Sequence, residues 1–430
     1  MHAQSGRTGR LDMVLLLTVF VLLVFSVIMI TSIGVPKSIS LTKPLDVLFP
    51  SCGENGVDCF FLLRRHVMRI GVGLIALFIF YKIPVRFWRR VAIPLFIIIF
   101  GVLVAVLIVG STSNTFARAW LVFSSTSIQP AEIAKLILVF YLATWMEKKG
   151  RDISDFRNGF LSFCTVTGIV VLPVLLQPDF GSTLIFATIA TAIYFAAGAR
   201  IRHLVVGLLV VFLFMLLVIP NVNYLKHRFT AFVNPTIENC QPNIDKGDIR
   251  RNYCWQTEQA QIAVGSGGFF GKGLTQGIQK AYWLPQATDD FIFAASSEEL
   301  GFIRIVFVVL GYMIIAWRGF MIANYATDKF TSLTATGITI WITTQAFINI
   351  GVNIGLMPVT GMTLPFVSYG GTSMVMTLAA VGILLQISRS TTPYYANSTD
   401  RRRDRGTHIS KYRSNRGAAK VSLFPLRKKY

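Results

Sequence analysis

Apolar residues in this chain fall in long unbroken runs, not in the alternation of a half-buried strand or the single stripe of a surface helix. Ten runs cover about 11–33, 66–84, 91–111, 130–147, 157–175, 181–199, 203–220, 301–323, 331–355 and 366–388. Each is close to the roughly 20 residues a helix needs to cross a bilayer. Strand-sized alternating segments, the mark of an outer-membrane barrel, are absent. The pattern predicts an all-α polytopic membrane protein with ten transmembrane helices. The first run follows Arg7 and Arg10. It is too long for a signal-peptide core and no small-residue cleavage site follows it, so it reads as a retained span.

The polar connections between runs set the expected topology. Lys82, Arg86, Arg89 and Arg90 share one short connection, Lys148, Lys149 and Arg151 another, and Arg200 and Arg202 a third. With ten spans these connections lie on the same face as both termini, and the positive-inside rule makes that face cytoplasmic. The opposite face then receives residues 35–65, 112–129, a short turn at 177–180 and a long segment of about 221–300. Residues 1–10 read as a cytoplasmic N-terminus and 11–390 as the membrane domain. Residues 391–430 read as a disordered cytoplasmic tail.

Composition agrees. Charged residues are 14% of the chain, where a soluble protein would carry about a quarter. The net charge of +21 could suggest nucleic acid, but Arg389 to Tyr430 hold twelve Lys or Arg against two Asp, a net of +10. That tail suits anionic lipid headgroups. No aromatic or groove-reading feature supports nucleic-acid binding. Two cysteine pairs, Cys52 with Cys59 and Cys240 with Cys254, fall in the outer segments and fit disulfides in an oxidising compartment. Free thiols or a metal site are the alternative, although neither spacing resembles a zinc knuckle. Cys164, in mid-span, reads as a small apolar residue.

Few ionisable residues are placed where chemistry could use them. "WLPQATDDFIFAASSEELGF", Trp283 to Phe302, gathers Asp289, Asp290, Glu298 and Glu299 at the membrane boundary. Asp290 precedes an apolar string, so desolvation would raise its pKa and suit it to accept a proton near neutral pH. It could instead cap a helix or pair with Lys280 or Arg251. Asp289 could raise the Asp290 pKa by repulsion or simply face water. Glu298 and Glu299 read as first-turn acids of the eighth span, favoured by the helix dipole. In "QPAEIAK", Glu132 and Lys135 are three apart on one helix face, either as a structural pair or as a functional one. Asp179 in "QPDFGST" is an N-cap candidate that could still line a shared cavity. Arg118 and Arg228 lie on the outer side, where they could bind an anion or a lipid phosphate. "GSGGFFGKG", Gly265 to Gly273 with Lys272, could cradle a phosphate through backbone amides, though it lacks Walker spacing. Gly370 and Gly371 in "PFVSYGGTS" suit close helix packing. These groups converge on the outer leaflet. They suit a lipid-linked, anionic, polar substrate better than an ion-coupled transporter.

At these residues the chain resembles the SEDS family (shape, elongation, division and sporulation) over about 11–390. The motifs above match in order, as does "NIGVNIGLMPVTGMTLPFVSYGGTS" from Asn349 to Ser373. "GKGLTQGIQK" resembles the FtsW branch somewhat more than the RodA branch. The resemblance implies a ten-span inverting peptidoglycan glycosyltransferase. It would polymerise lipid II onto undecaprenyl-linked glycan at the outer face of the cytoplasmic membrane, for division or elongation. A class B penicillin-binding protein is the implied partner. Asp290 matches the presumed catalytic aspartate of the family's "LPEAHTDFIFA" pattern, Glu132 and Lys135 its "QPSE-x-AK" pair, Asp179 its "QPDLG" acid, and Arg118 an arginine of its "GARRW" motif.

The chain departs from the family at Gln286, Thr288 and Asp289, where Glu, His and Thr are usual, and at Ala131, where Ser is usual. Asp289 could therefore share the acid–base work. The implied chemistry is one displacement, with Asp290 taking the proton of the acceptor hydroxyl as the diphosphate lipid leaves. Arg118, Lys135 or a divalent cation, Mg or Mn, would stabilise the leaving group. No other cofactor is expected. The competing readings are a lipid II flippase and a non-enzymatic scaffold that activates a penicillin-binding protein.

Overall fold

The computed structural model describes residues 11–44, 51–54, 56–110, 119–123, 126–233 and 253–391. Arg118, Cys240, Arg251, residues 1–10 and the basic tail from 392 onward lie outside them. Helices dominate. α1 (Met13–Ile33) begins at Asp12, whose carboxylate accepts the Leu15 amide at 3.0 Å. Gly34 ends it, and Pro36 sits in the first turn of α2 (Val35–Thr42). α3 (Phe61–Lys82) and α4 (Val85–Val109) follow. α5 (Pro130–Lys149) starts on a proline, whose missing N–H costs nothing there. A 3-10 turn (Gly150–Ser154) and a π turn (Phe156–Leu161) lead into α6 (Ser162–Leu176). Then come α7 (Phe180–Ala196), α8 (Ile201–Asn221), α9 (Asn223–Val233) and α10 (Tyr253–Gly267). α11 (Ile292–Asn324), α12 (Lys329–Asn353) and α13 (Gly371–Ser390) complete the order.

A helix lies over each of the ten apolar runs. Among the described residues six segments are long and apolar enough to cross a membrane: Met13–Ile33, Val85–Val109, Phe156–Leu176, Ile292–Asn324, Lys329–Asn353 and Gly371–Ser390. α4 and α8 turn Ile97, Ile98, Ile108, Leu208 and Leu217 outward, as helices facing hydrocarbon do. α12 is the central helix, with Trp341, Ile338 and Ala346 fully buried. α13 packs along α3. A Cβ at Gly382 would lie 2.3 Å from the Leu77 carbonyl oxygen, so only glycine admits this approach. At one end of the bundle Arg318 grips Asp12 through Nη2 at 2.7 Å and Nε at 2.9 Å, joining α11 to the start of α1.

The all-α expectation needs one correction. β1 (Leu121–Phe123) and β2 (Thr126–Ile128) pair antiparallel, Leu121 with Ile128 and Phe123 with Thr126. β-branched and aromatic residues suit that geometry, but three-residue strands are too short for alternation to reveal them.

The second correction concerns α11, the helix over the eighth apolar run. It begins at Ile292 rather than near 301, and Gly301 interrupts it at φ 77° and ψ 174°. Glu298 and Glu299 therefore end a short helical segment instead of opening a span. The break removes helical hydrogen bonds, and the 268–273 loop replaces them. Lys272 and Gly273 amides donate to the Glu298 and Glu299 carbonyls, each at 3.0 Å, while the Phe302 and Ile303 amides donate to Gly268 at 2.8 Å and Phe269 at 3.2 Å. These four backbone groups, two carbonyls and two amides, thus find partners across the break. The exchange needs near-contact of two backbones, since a Cβ at Gly301 would lie 2.2 Å from the Gly271 nitrogen. The glycine-rich loop is filled by protein backbone, not shaped as a phosphate cradle.

Gly301→Val should cost more than about 2 kcal/mol, from left-handed strain plus overlap with the docked loop. The thermal unfolding midpoint in detergent measures this, and an unchanged midpoint would contradict the docking described.

Candidate active site

Glu298 and Glu299 fix the segment that leads to Asp290. Both are fully buried. Glu298 Oε1 accepts from Lys272 Nζ at 2.7 Å and from the Ile278 amide at 3.0 Å, and Oε2 accepts from the Gln279 amide at 3.0 Å. Glu299 accepts from Lys280 Nζ, from Ser32 Oγ of α1 at 2.7 Å and 2.8 Å, and from the Thr275 amide at 3.2 Å. Buried carboxylates are tolerated only when paired and hydrogen-bonded in this way. Lys280 is thereby engaged with Glu299 and not with Asp290. The first-turn reading of these two acids gives way to a structural one: they bind the 272–280 loop to α1 and α11.

Three consecutive carbonyls then hold the reactive stretch. Thr288 O accepts from the Tyr369 amide at 2.9 Å, and Asp289 O accepts from Ser368 Oγ. Asp290 O accepts from Asn349 Nδ2 at 2.8 Å and Asn353 Nδ2 at 3.0 Å. Asn349 and Asn353 are four apart on one face of α12. Asn349 Nδ2 also reaches Met362 O at 2.6 Å, which ties the same helix to the 356–370 segment. The backbone around Asp290 is therefore set by groups on α12 and on that segment.

Asp290 is half-buried, with its carboxylate against Gly361. Its pKa is pushed from 3.8 up to about 7, first by loss of water and next by the neighbouring Asp289 charge. Lys37 and Arg228 oppose the rise, and Asp179 adds to it. Asp289 forms an ion pair with Lys37 of α2.

The other sequence candidates surround this point. Asp179 caps α7 by accepting the Ser182 amide at 2.9 Å, and Gln129 Nε2 donates to its second oxygen at 3.1 Å. It is thus both an N-cap and a charge felt by Asp290. Lys135 Nζ lies 2.6 Å from Glu132 Oε1 and 3.0 Å from Gln345 Oε1. Gln345 is itself held by Trp341 Nε1 at 2.9 Å and donates to Thr363 O at 3.0 Å. The pair is closed in, and Glu132 Oε2 is buried without a hydrogen-bond partner among the described residues. Arg228 of α9 donates to Val359 O at 2.8 Å. The 356–370 segment thus joins the surroundings of Glu132–Lys135, Arg228 and Asp290. Arg118 lies outside the described residues.

Sequence reasoning missed Lys37 and Arg69, and it met Asn349, Asn353 and Tyr369 only as members of the Asn349–Ser373 motif, with no role assigned. Arg69 of α3 stacks over the Tyr369 ring at 4.1 Å. The four-residue spacing of the asparagines, which puts both on one helix face, was the signal that could have given them a role. Among the described residues no group of three or more His, Cys, Asp or Glu is placed to hold a metal ion. The Cys52–Cys59 disulfide is formed. Two basic clefts, about 600 Å³ beside Arg200 and Arg202 and about 410 Å³ beside Arg86, Arg90 and Lys148, carry no lining carboxylate and are not candidates for the reaction.

Known proteins resemble this chain in sequence and fold. The FTSW_RODA_SPOVE family, described as a cell cycle protein, matches residues 13–393. Stage V sporulation protein E of Bacillus subtilis is 40% identical over 335 residues, covering 77% of this chain and 88% of that protein. The probable peptidoglycan glycosyltransferase FtsW of Thioalkalivibrio sulfidiphilus is 36% identical over 389 residues, covering 89% of this chain and 90% of that one. A chain of a peptidoglycan synthase complex, solved for its coordination of polymerization and crosslinking, superposes with a TM-score of 0.68 at 26% identity, over 88% of this chain and 98% of that chain. The rod shape determining protein RodA of Thermus thermophilus superposes with a TM-score of 0.62 at 27% identity, over 89% and 98%.

Lys135→Met should destabilise the protein by about 3–5 kcal/mol, because it strands the buried Glu132 charge. Lys135→Met with Glu132→Gln should cost clearly less. Thermal midpoints of the two variants in detergent decide this, and equal losses would show that the ion pair is not what the site depends on.

Proposed function

This chain belongs to the FtsW, RodA and SpoVE family of cell cycle proteins, and from that we propose that it is a multi-pass membrane glycosyltransferase that polymerises lipid II. The observation that carries the reading is Asp290. It is a carboxylate poised near neutrality on a backbone held at three successive carbonyls, with Asp179, Arg228 and Lys37 acting on its charge. The glycosyltransferase names of its relatives and the synthase complex it resembles support the same conclusion.

In this reading the ten helices over the apolar runs are ten spans. Both termini are cytoplasmic, and Asp290 faces the outer leaflet. Asp290 takes the proton from the acceptor sugar hydroxyl. The freed oxygen attacks the anomeric carbon of the lipid-linked glycan, the bond from that carbon to the diphosphate breaks, and the diphosphate lipid leaves. One displacement by one base inverts the anomeric centre and needs no covalent intermediate. The leaving diphosphate needs positive charge. Arg69 and Arg228, both partly exposed, are the described candidates, with Arg118 beside them in the family pattern. Lys135, closed in by Glu132 and Gln345, holds α5 to α12 in this conformation. A class B penicillin-binding protein is the proposed partner.

The test is glycan polymerisation from purified lipid II by the purified full-length protein with its cognate penicillin-binding protein, wild type against Asp290→Asn. Strands from wild type alone support the assignment. Strands from both would move the base elsewhere, and strands from neither would favour transport or scaffolding.

The raised pKa fixes two signs. The base works ionised, so kcat/KM should fall about tenfold per pH unit below a limb near pH 7, not near pH 4. A carboxyl whose folded pKa lies above its unfolded value stabilises the fold fully below the unfolded value, and that contribution is lost as pH rises through about 7. Asp290→Asn should therefore unfold at a higher temperature than wild type at pH 8. A lower midpoint would contradict the desolvation described.

A further inference from the structure

Lys37 belongs to no motif, yet it makes the closest charged contact beside the proposed base. Gly34 ends α1, Pro36 starts α2, and Lys37 follows in the first turn. α2 is fixed from both sides of its length. Ser38 Oγ donates to Gly34 O at 2.8 Å and accepts the Leu62 amide of α3 at 3.1 Å. Thr42 Oγ1 accepts the Asp58 amide at 2.9 Å, next to the Cys52–Cys59 disulfide. The backbone that carries Lys37 is therefore tied to the bundle.

The ammonium has three donors, and three acceptors face it. It forms the ion pair with Asp289, lies 3.2 Å from Thr288 Oγ1, and faces Gln286 Oε1 at 3.5 Å. It also stands 5.9 Å from the centre of the Tyr369 ring. Gln286, Thr288 and Asp289 are the three positions at which this stretch departs from the family pattern. One lysine thus engages all three departures together.

We propose that Lys37 is a positioning residue for Asp290: it clamps the 286–289 stretch from α2 and cancels the Asp289 charge next to the base. The proposal rests on the reading of Asp290 as the base. A bare Asp289 carboxylate beside Asp290 would penalise ionisation of the base, while the Lys37–Asp289 pair presents little net charge to it. The remaining charged groups that act on Asp290 are Arg228 from α9 and Asp179 at the start of α7. The asparagines of α12 are neutral, and residues 356–370 carry no acidic or basic side chain. Of these groups Lys37 and Asp289 touch each other directly, so a substitution at either changes the charge beside Asp290. An ion pair this exposed contributes only about 0–1 kcal/mol to stability, so the pH dependence of the rate and not the unfolding midpoint reads its role.

The experiment is the rate of lipid II polymerisation against pH for the full-length protein with its cognate partner. The variants are Lys37→Met, Asp289→Asn, the double variant and Lys37→Arg, with Asp290→Asn alongside. Lys37→Met should move the acidic limb to higher pH, so that activity lost at pH 7 returns as pH rises. Asp289→Asn should move it to lower pH. The double variant should return toward the wild-type position, and Lys37→Arg should stay there. Each pH unit of displacement reads as about a tenfold change in rate on the acidic side. Single variants that lose activity equally at every pH, or a double variant no closer to wild type than the singles, would overturn the role of Lys37 while an inactive Asp290→Asn leaves the base in place. An Asp290→Asn protein that polymerises like wild type would remove the base, and this proposal with it.

Discussion

Two carboxylates without solvent, Glu298 and Glu299, hold the 272–280 segment of this protein to its helices. An ionised carboxylate in such a place must be paired and fully hydrogen-bonded, or it destabilises the fold by several kcal/mol. Lys272, Lys280, Ser32 and three loop amides meet that demand. The backbone exchange across Gly301 completes the docking. The rest follows in sequence. With the 272–280 loop fixed, residues 284–291 cross the bundle where Asn349, Asn353, Ser368 and Tyr369 catch three carbonyls in a row. The carboxylates that do the holding are thus distinct from the carboxylate proposed to do the chemistry.

The position of Asp290 is a compromise between two opposing costs. Full burial with no nearby cation would leave it protonated and unable to act as a base near neutral pH. Free solvation would leave it ionised but weakly basic. Here loss of water and Asp289 push one way, and Lys37 and Arg228 push the other. A general base gains most when its pKa lies near the working pH. The value of about 7 is where these influences balance.

Much of this was legible in the sequence, and the failures have physical causes. Runs of about 20 apolar residues announced the helices, because a bilayer-length apolar segment has few other folds available. The three-residue spacing of Glu132 and Lys135 placed them on one face, and their atoms lie 2.6 Å apart. The apolar string after Asp290 pointed to a raised pKa. The Gly301 break was not legible, because its cause is a loop that begins 33 residues earlier and donates the missing hydrogen bonds. That one omission moved a helix start by nine residues and made two structural glutamates look like first-turn acids. The 121–128 hairpin was too short to show a period. Lys37 carried no local signal at all, since its partners lie about 250 residues away in the chain.

The protonation state of Asp290 is the quantity on which this account stands, and it can be read without turnover. The full-length protein, labelled with ¹³C at aspartate carboxyls, would be titrated by infrared difference spectroscopy, with Asp290→Asn used to identify the band that belongs to this residue. The account predicts a carboxyl band that converts to carboxylate with a midpoint near pH 7 and disappears in the variant. A midpoint near pH 4 would show that Asp290 is an ordinary solvated acid, and would contradict the site proposed here.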